Sequence, residues 1–88
     1  MPDITIYTTA LCPYCIRAKS LLRKKKLAFK EIPVDDDPRA RAELIAKARG
    51  RMTVPQIFFD GVHIGDCDEL HELDRSGKLD ELMAGIAP

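Results

Sequence analysis

The N-terminal part of the chain changes from one hydrophobic period to another. Over residues 3–8, isoleucines alternate with polar residues, and a period of two is typical of a strand with one buried face. Over residues 14–26, the apolar positions are instead spaced three and four apart, at Ala18, Leu21 and Leu22. That spacing places them on one face of a helix. The sequence therefore begins with a strand and an amphipathic helix.

A second strand and a second helix follow, and prolines mark both. Residues 30–34 have strand composition, but Pro33 has no N–H to donate to a neighbouring strand, so this strand is predicted at a sheet edge. Asp37 followed by Pro38 is typical of a helix start, and Gly50 predicts where that helix ends. The apolar residues of this helix share one face: Ala40, Leu44, Ile45 and Ala48.

The last part of the chain begins with a hairpin and ends in helices. Two short apolar runs, residues 56–59 and 62–64, flank Asp60-Gly61, a dipeptide that favours a two-residue hairpin turn. The next leucines predict a short helix that ends at Ser76-Gly77. A last apolar stripe predicts a C-terminal helical tail: Leu79, Leu82, Met83 and Ile86.

These elements give the order β-α-β-α-β-β-α with a helical tail, which is an α/β fold. Two strands joined through a helix are expected to be parallel with a right-handed connection, whereas the hairpin strands are antiparallel. No linker, repeat or low-complexity segment interrupts the pattern, so residues 1–88 are expected to form one domain.

Composition limits the class of protein. The apolar content of 45% and the charged content of 32% are ordinary for a soluble globular protein. The sequence has no run of about 18 apolar residues that would predict a membrane span. The first residues lack the basic and apolar regions of a signal peptide. Together with three cysteines, these features predict a reducing, cytoplasmic location and no membrane partner.

The net charge is zero, but the charges are unevenly distributed. Residues 17–30 hold seven cations and no acid, whereas residues 60–81 hold eight acids and two cations. The basic run at residues 23–26 is typical of nucleic-acid binding, but no aromatic residues interleave with it as a base-stacking surface would require. We interpret the run as the solvated end of the first helix, where cations oppose the helix dipole. No nucleic-acid partner is expected.

The feature that carries chemistry is the tetrapeptide Cys12-Pro13-Tyr14-Cys15. Two thiols three positions apart can close and reopen a disulfide, and this pair lies where the first helix is predicted to begin. Unpaired N–H groups and the positive end of the helix dipole stabilise an anion there, so Cys12 is expected to be the thiolate. A redox role is favoured over a zinc site, which needs two more ligands. It is also favoured over a structural disulfide, which would stabilise little across so short a loop.

A second motif, Thr53-Val54-Pro55, opens the third predicted strand. Proline is tolerated at the first position of a strand. Base rates favour a trans bond before it, although a cis X-Pro bond costs only modestly more. A cis bond would turn the Val54 backbone outward, where an extended peptide can pair with it.

Three segments together carry a family resemblance. The sequence resembles dithiol glutaredoxins, close to the small bacterial type, at residues 12–15 (Cys-Pro-Tyr-Cys), 53–58 (Thr-Val-Pro-Gln-Ile-Phe) and 64–70 (Ile-Gly-Asp-Cys-Asp-Glu-Leu). The likeness covers nearly the whole chain. It implies a thioredoxin fold, with a four-stranded mixed sheet in the order 2-1-3-4 flanked by helices. That order places the strand that contains Pro33 at an edge, in agreement with the proline argument.

The resemblance also implies roles for individual residues. Cys12 would be the nucleophile and Cys15 the resolving thiol. The turn at Cys67-Asp68 would receive the γ-glutamyl end of glutathione, and Arg51 would lie near the glycine carboxylate. Helix-start N–H groups bind carboxylates, and a side-chain carboxylate can pair with the γ-glutamyl ammonium. Physical chemistry therefore agrees with the roles at this turn.

The middle of glutathione would be held by the other two motifs. Tyr14 would flank its sulfur, and the Val54 backbone would form hydrogen bonds with its cysteinyl part. Thr53 and Pro55 would belong to the loop that contains the cis-proline.

Two positions depart from the family pattern. Many relatives have glycine where this chain has Asp66, and an acid there either weakens binding of an anionic tripeptide or caps the following helix. Many relatives have lysine where this chain has Thr9, which leaves Arg51 as the main candidate for the glycine carboxylate. Cys67 is interpreted as a small packed residue, and no role is assigned to either histidine.

The expected function is a glutathione-dependent thiol–disulfide oxidoreductase that reduces glutathione mixed disulfides and protein disulfides. Its partners would be glutathione and glutathionylated or disulfide-containing proteins. A monomer with no metal and no tightly bound cofactor is expected. One alternative is a redoxin reduced by thioredoxin reductase, which Tyr14 and the Cys67-Asp68 turn disfavour. Another is a carrier of a glutathione-ligated iron–sulfur cluster, which Pro13 and Cys15 disfavour.

Overall fold

A computed structural model describes residues 2–85, and its eight elements follow the order expected from the sequence. The strands are β1 (Ile4–Thr8), β2 (Lys30–Pro33), β3 (Gln56–Phe59) and β4 (Val62–Gly65). The helices are α1 (Pro13–Lys24), α2 (Pro38–Lys47), α3 (Cys67–Arg75) and α4 (Lys78–Met83). None of the helices in this range is long and apolar enough to cross a membrane. Ile86, the last residue of the predicted apolar stripe, lies outside the described residues.

The four strands form one mixed sheet in the order β2-β1-β3-β4, which confirms the thioredoxin fold. β1 and β2 are parallel, and β3 is antiparallel to both β1 and β4. Pro33 pairs with Thr8 from the edge strand β2, where a proline is tolerated. Asp60 and Gly61 both have positive φ, 51° and 80°, as a two-residue type I′ hairpin turn requires.

Alternating side chains along the central strands fill a core on each face of the sheet. Ile4 and Ile6 of β1 pack with α1, α3 and α4, whereas Tyr7 packs with α2. In β3, Ile57 joins the first core and Phe58 the second. The sheet is therefore covered by helices on both faces, which leaves the ends of its strands as the place for a functional site.

The basic and acidic stretches of the sequence meet in the fold. Lys25, just after α1, places its ammonium 3.0 Å from Asp74 and 3.1 Å from Asp80. Hydrogen bonds to these two carboxylates raise the pKa of Lys25. Basic and acidic residues that lie far apart in the sequence therefore form ion pairs within the fold. This agrees with the interpretation of the basic run as a helix end.

The N-cap of α2 supplies a stability prediction. The Asp37 carboxylate accepts a hydrogen bond from the Ala40 N–H at 3.0 Å, which satisfies one of the unpaired donors of the first turn. Asp37→Ala is expected to lower the free energy of unfolding by about 1 kcal/mol in chemical denaturation. Asp37→Asn is the control, because it keeps the side-chain oxygen, and an equal loss in both variants would contradict the capping role.

Candidate active site

The antiparallel pairing of β1 and β3 brings the two sequence motifs together. Near the end of β1, Tyr7 pairs with Gln56 at the start of β3. The loop that follows β1 leads to Cys12, and the residues just before β3 are Val54 and Pro55. The dithiol and the Thr-Val-Pro motif therefore meet at one end of the sheet.

The two thiols of the motif occupy different positions at the start of α1. Cys12 is the N-cap residue, and its Sγ accepts a hydrogen bond from the Cys15 N–H at 3.1 Å. Pro13 is the first helical residue, where its missing N–H costs nothing. Cys12 is half-buried, whereas Cys15 is only 1% exposed. Both are free thiols in this structure.

Burial makes Cys15 a poor thiolate. Its removal from water, together with a hydrogen bond involving Cys12, raises the pKa of Cys15 to about 12. Cys15 is therefore a protonated thiol at neutral pH, whereas Cys12 lies at the helix terminus, which favours an anion. The two cysteines therefore differ in burial and in their position at the start of α1.

The Val54–Pro55 peptide bond is cis, which confirms the expectation raised by the family resemblance against the base rate. Pro55 is buried, and Val54 is half-buried. The Val54 carbonyl accepts a hydrogen bond from the Cys12 thiol at 3.7 Å. The loop thus presents its backbone directly to Cys12, the less buried thiol of the pair.

Beside this contact lies an open groove with a volume of about 260 Å³. Its wall combines the third residue of the Cys-Pro-Tyr-Cys motif, the cis-proline loop and the start of α3. The lining residues are Tyr14, Thr53, Val54, Pro55, Asp66, Cys67 and Asp68. Six of the seven residues predicted to bind glutathione therefore line one groove, and Asp66 joins them.

The start of α3 forms the far wall of the groove. Asp66 is its N-cap, and Asp66 and Glu69 each accept a hydrogen bond from the other's backbone N–H at 3.0 Å. This capping box fixes the turn that carries Cys67 and Asp68. Cys67 is 2% exposed and Asp68 is exposed. The turn offers helix-start N–H groups and one side-chain carboxylate to the groove.

Arg51 lies outside the groove lining and is held by the same capping box. Its guanidinium donates to Asp66 Oδ2 at 2.9 Å and to Glu69 Oε1 at 2.8 Å. These contacts raise the pKa of Arg51, mainly through the hydrogen bond to Glu69. The departure at Asp66 therefore has a structural role, because this acid caps α3 and ties α3 to the segment before the cis-proline.

Two polar neighbours of the cis-proline loop were missed by the sequence analysis. Gln56 is fully buried, and its amide nitrogen donates to Thr53 Oγ1 at 3.2 Å. His63 is half-buried and lies 2.6 Å from Gln56 Oε1. A glutamine at the start of the otherwise apolar strand β3 was the available signal, because a buried amide requires partners.

A dithiol at a helix N-terminus that faces a cis-proline, on a four-stranded mixed sheet, defines a thiol–disulfide oxidoreductase of the thioredoxin-fold superfamily. Within residues 2–85, no three His, Cys, Asp or Glu side chains are arranged to hold a metal ion.

Comparison with known proteins identifies the family. The family model for glutaredoxin matches residues 4–64. A glutaredoxin of Pseudomonas aeruginosa is 57% identical over 84 residues, which cover 96% of this chain and 99% of the relative. The chain belongs to the glutaredoxin family.

Solved structures give the same result. The solution structure of glutaredoxin from Brucella melitensis matches with a TM-score of 0.81 and 50% identity, covering 93% of this chain and 88% of that one. The crystal structure of a buckwheat glutaredoxin–glutathione complex matches with a TM-score of 0.85 and 30% identity, covering 97% and 79% of the two chains. The protein is accordingly a glutathione-dependent thiol–disulfide oxidoreductase.

Proposed function

We propose that Cys12 is the nucleophile that removes glutathione from mixed disulfides. The observation that carries this assignment is the inequality of the two thiols at the start of α1. Cys12 caps the helix in contact with the groove residue Val54, whereas Cys15 is buried and its pKa is raised to about 12. Only the thiolate attacks a disulfide, so the less buried thiol reacts first.

The reaction then proceeds in two exchanges. The Cys12 thiolate attacks the glutathione sulfur of a mixed disulfide, and the substrate protein leaves as a thiolate that takes up a proton. A second glutathione thiolate attacks the same sulfur, releasing oxidised glutathione and the Cys12 thiolate. Glutaredoxin potentials of about −200 to −230 mV lie within reach of a glutathione pool.

Protein disulfides require the second cysteine. Cys12 first forms a mixed disulfide with the substrate protein. Cys15 then loses its proton and displaces the substrate thiolate from Cys12. The resulting Cys12–Cys15 disulfide is reduced by two glutathione molecules, which leave as oxidised glutathione.

Glutathione is proposed to lie along the groove. Its γ-glutamyl carboxylate meets the helix-start N–H groups at Cys67, and its ammonium pairs with Asp68. Its cysteinyl backbone pairs with Val54, next to the contact between Val54 and Cys12. Tyr14 flanks the sulfur, and Thr53 and Pro55 complete the loop. The glutathione complex of the buckwheat relative supports this choice of ligand.

Arg51 is proposed to attract the glycine carboxylate while it holds α3. A guanidinium has five N–H donors, and the bonds to Asp66 and Glu69 leave others available. Arg51→Ala is expected to weaken use of glutathione, but less for a glutathione whose glycine carboxylate has been converted to an amide. Steady-state KM values for both reductants measure this difference. Equal weakening for both reductants would mean that Arg51 acts only through α3.

The choice of reductant tests the proposed function against its nearest rival. Turnover of a glutathionylated peptide is expected with glutathione, glutathione reductase and NADPH, and not with thioredoxin reductase and NADPH alone. Efficient turnover in the second mixture would favour a redoxin reduced by thioredoxin reductase. A coloured protein with the absorbance of an iron–sulfur cluster would favour a cluster carrier instead.

The wider setting follows from the same reasoning. We propose that residues 1–88 act as one glutaredoxin domain, as a cytoplasmic monomer without a tightly bound cofactor. Its protein partners would be glutathionylated or disulfide-containing proteins, which the cytoplasmic glutathione pool continually regenerates as thiols.

A further inference from the structure

We propose that Gln56 and His63 are positioning residues for the Thr53-Val54-Pro55 loop, and that protonation of His63 loosens this loop and weakens glutathione binding. The proposal rests on the groove of the proposed function as the glutathione site. It adds a pH response that is independent of the thiols themselves.

The first step is a chain of hydrogen bonds on the α2 face of the sheet. Thr53 Oγ1 lies 3.2 Å from the Gln56 amide nitrogen, and Gln56 Oε1 lies 2.6 Å from His63 Nε2. The other ring nitrogen, His63 Nδ1, lies 3.1 and 3.3 Å from the nitrogens of Arg49. The chain therefore runs from the loop before the cis-proline to an arginine just after α2.

The chemistry of Arg49 fixes the direction of every bond in this chain. A guanidinium only donates, so His63 Nδ1 must accept and carries no proton. The proton of the neutral ring is then on Nε2, which donates to Gln56 Oε1. The amide nitrogen of Gln56 is thereby left to donate to Thr53 Oγ1. Each of these groups therefore has a fixed donor or acceptor role, and reversing any of these roles would break a hydrogen bond.

Burial makes the arrangement costly to disturb. Gln56 is 0% exposed, so an unpaired amide there has no access to water. The ring of Phe58 covers His63 at a centroid distance of 5.2 Å. If the hydrogen bond between His63 and Gln56 breaks, the buried Gln56 amide must find a new partner. Its hydrogen bond to Thr53 is then disturbed as well.

Protonation of the His63 ring would break its hydrogen bonds with Arg49. A proton on His63 Nδ1 turns the acceptor for Arg49 into a second donor and places two cations side by side. Burial, and then the charges of Arg49 and Arg51, hold the pKa of His63 below its usual value, against smaller opposite effects from Glu69 and Asp66. The chain is thus intact at neutral pH and breaks only as the pH falls below the usual histidine range.

One substitution separates hydrogen bonding from titration. His63→Gln supplies a donor for Gln56 and an acceptor for Arg49, but it cannot be protonated. His63→Leu removes both bonds. Every protein in the comparison, including the parent, also carries His71→Gln. The sequence has two histidines, so His63 is then the one that remains.

The direct test is an NMR titration from about pH 7.5 to about pH 5. The amide signals of Thr53 and Val54 are expected to move with the same apparent pKa as the His63 ring, and this transition is expected to vanish in His63→Gln. Cys12 and its neighbours in sequence are the same in both proteins, so the difference is assigned to His63. An identical transition in His63→Gln, or none in the parent protein, would overturn the proposal.

The consequence for binding is measured with S-methylglutathione, whose capped sulfur cannot exchange. At neutral pH, His63→Leu is expected to weaken its binding about fivefold, the effect of losing one hydrogen bond, and His63→Gln is expected to restore it. Acid should weaken binding in the parent more than in His63→Gln. Equal pH dependence in both would overturn the proposal. Binding outside the groove, with amide coupling intact, would instead overturn the proposed glutathione site.

Discussion

Replacing Cys12 with serine is expected to abolish both activities of the protein, whereas Cys15→Ser should impair only one of them. Removal of glutathione from a mixed disulfide needs one attacking thiolate, which Cys12 is proposed to supply from the helix N-cap. Reduction of a protein disulfide needs a second thiol to release the substrate, and Cys15 is the thiol adjacent to Cys12. Cys15→Ser should therefore still turn over a glutathionylated peptide but should turn over a disulfide-bonded protein poorly.

The third cysteine is the control for this pair. Cys67 is buried, and burial raises the pKa of its thiol, so Cys67→Ser should retain both activities. Equal loss of deglutathionylation in Cys12→Ser and Cys15→Ser would contradict the assignment of nucleophile and resolving thiol.

Loss of the Asp68 carboxylate is expected to have the second-largest effect. Asp68 lies at the groove and is the carboxylate proposed to pair with the γ-glutamyl ammonium. Asp68→Ala should weaken use of glutathionylated substrates by about 1–3 kcal/mol, the usual cost of leaving one hydrogen-bond partner unsatisfied. The loss should be measured in KM for the glutathionylated substrate, because the reacting thiol is untouched.

Cys67→Ala provides a matched comparison at the neighbouring position. Only the Cys67 backbone is proposed to contact glutathione, so its truncation should change KM little. An unchanged Asp68→Ala together with a strongly impaired Cys67→Ala would show that the γ-glutamyl end lies elsewhere. Asp68→Asn separates charge from shape, since it retains the size of the side chain but not its ion pair.

Local signals explain why the fold was accessible from the sequence. The proline at position 33 excluded a central strand, and the structure has it at the sheet edge. Asp60-Gly61 required positive φ at two successive residues, which the turn adopts. Asp37 and Pro38 marked the start of α2 correctly. In each case the chemistry of one or two adjacent residues restricts the backbone, so no knowledge of distant contacts was needed.

The site could be predicted only in part, because several of its contacts join residues that are far apart in the sequence. The dithiol is a local motif, and its two thiols differ as a helix start predicts. The cis state of the Val54–Pro55 bond followed from the family resemblance and not from the dipeptide. The bonds from Arg51 to Asp66 and Glu69 span 15 and 18 residues. His63, which the sequence analysis left without a role, gains its partners only when β4 lies beside β3.

The central claim is that the Cys12 thiol receives glutathione. The most direct test is to incubate Cys15→Ser with oxidised glutathione and to locate the adduct by intact-mass and peptide mass spectrometry. The predicted result is one glutathione per chain, attached to Cys12 and removed by added glutathione. An adduct on Cys67, or no adduct while Cys12 remains reactive to a small alkylating agent, would contradict the account.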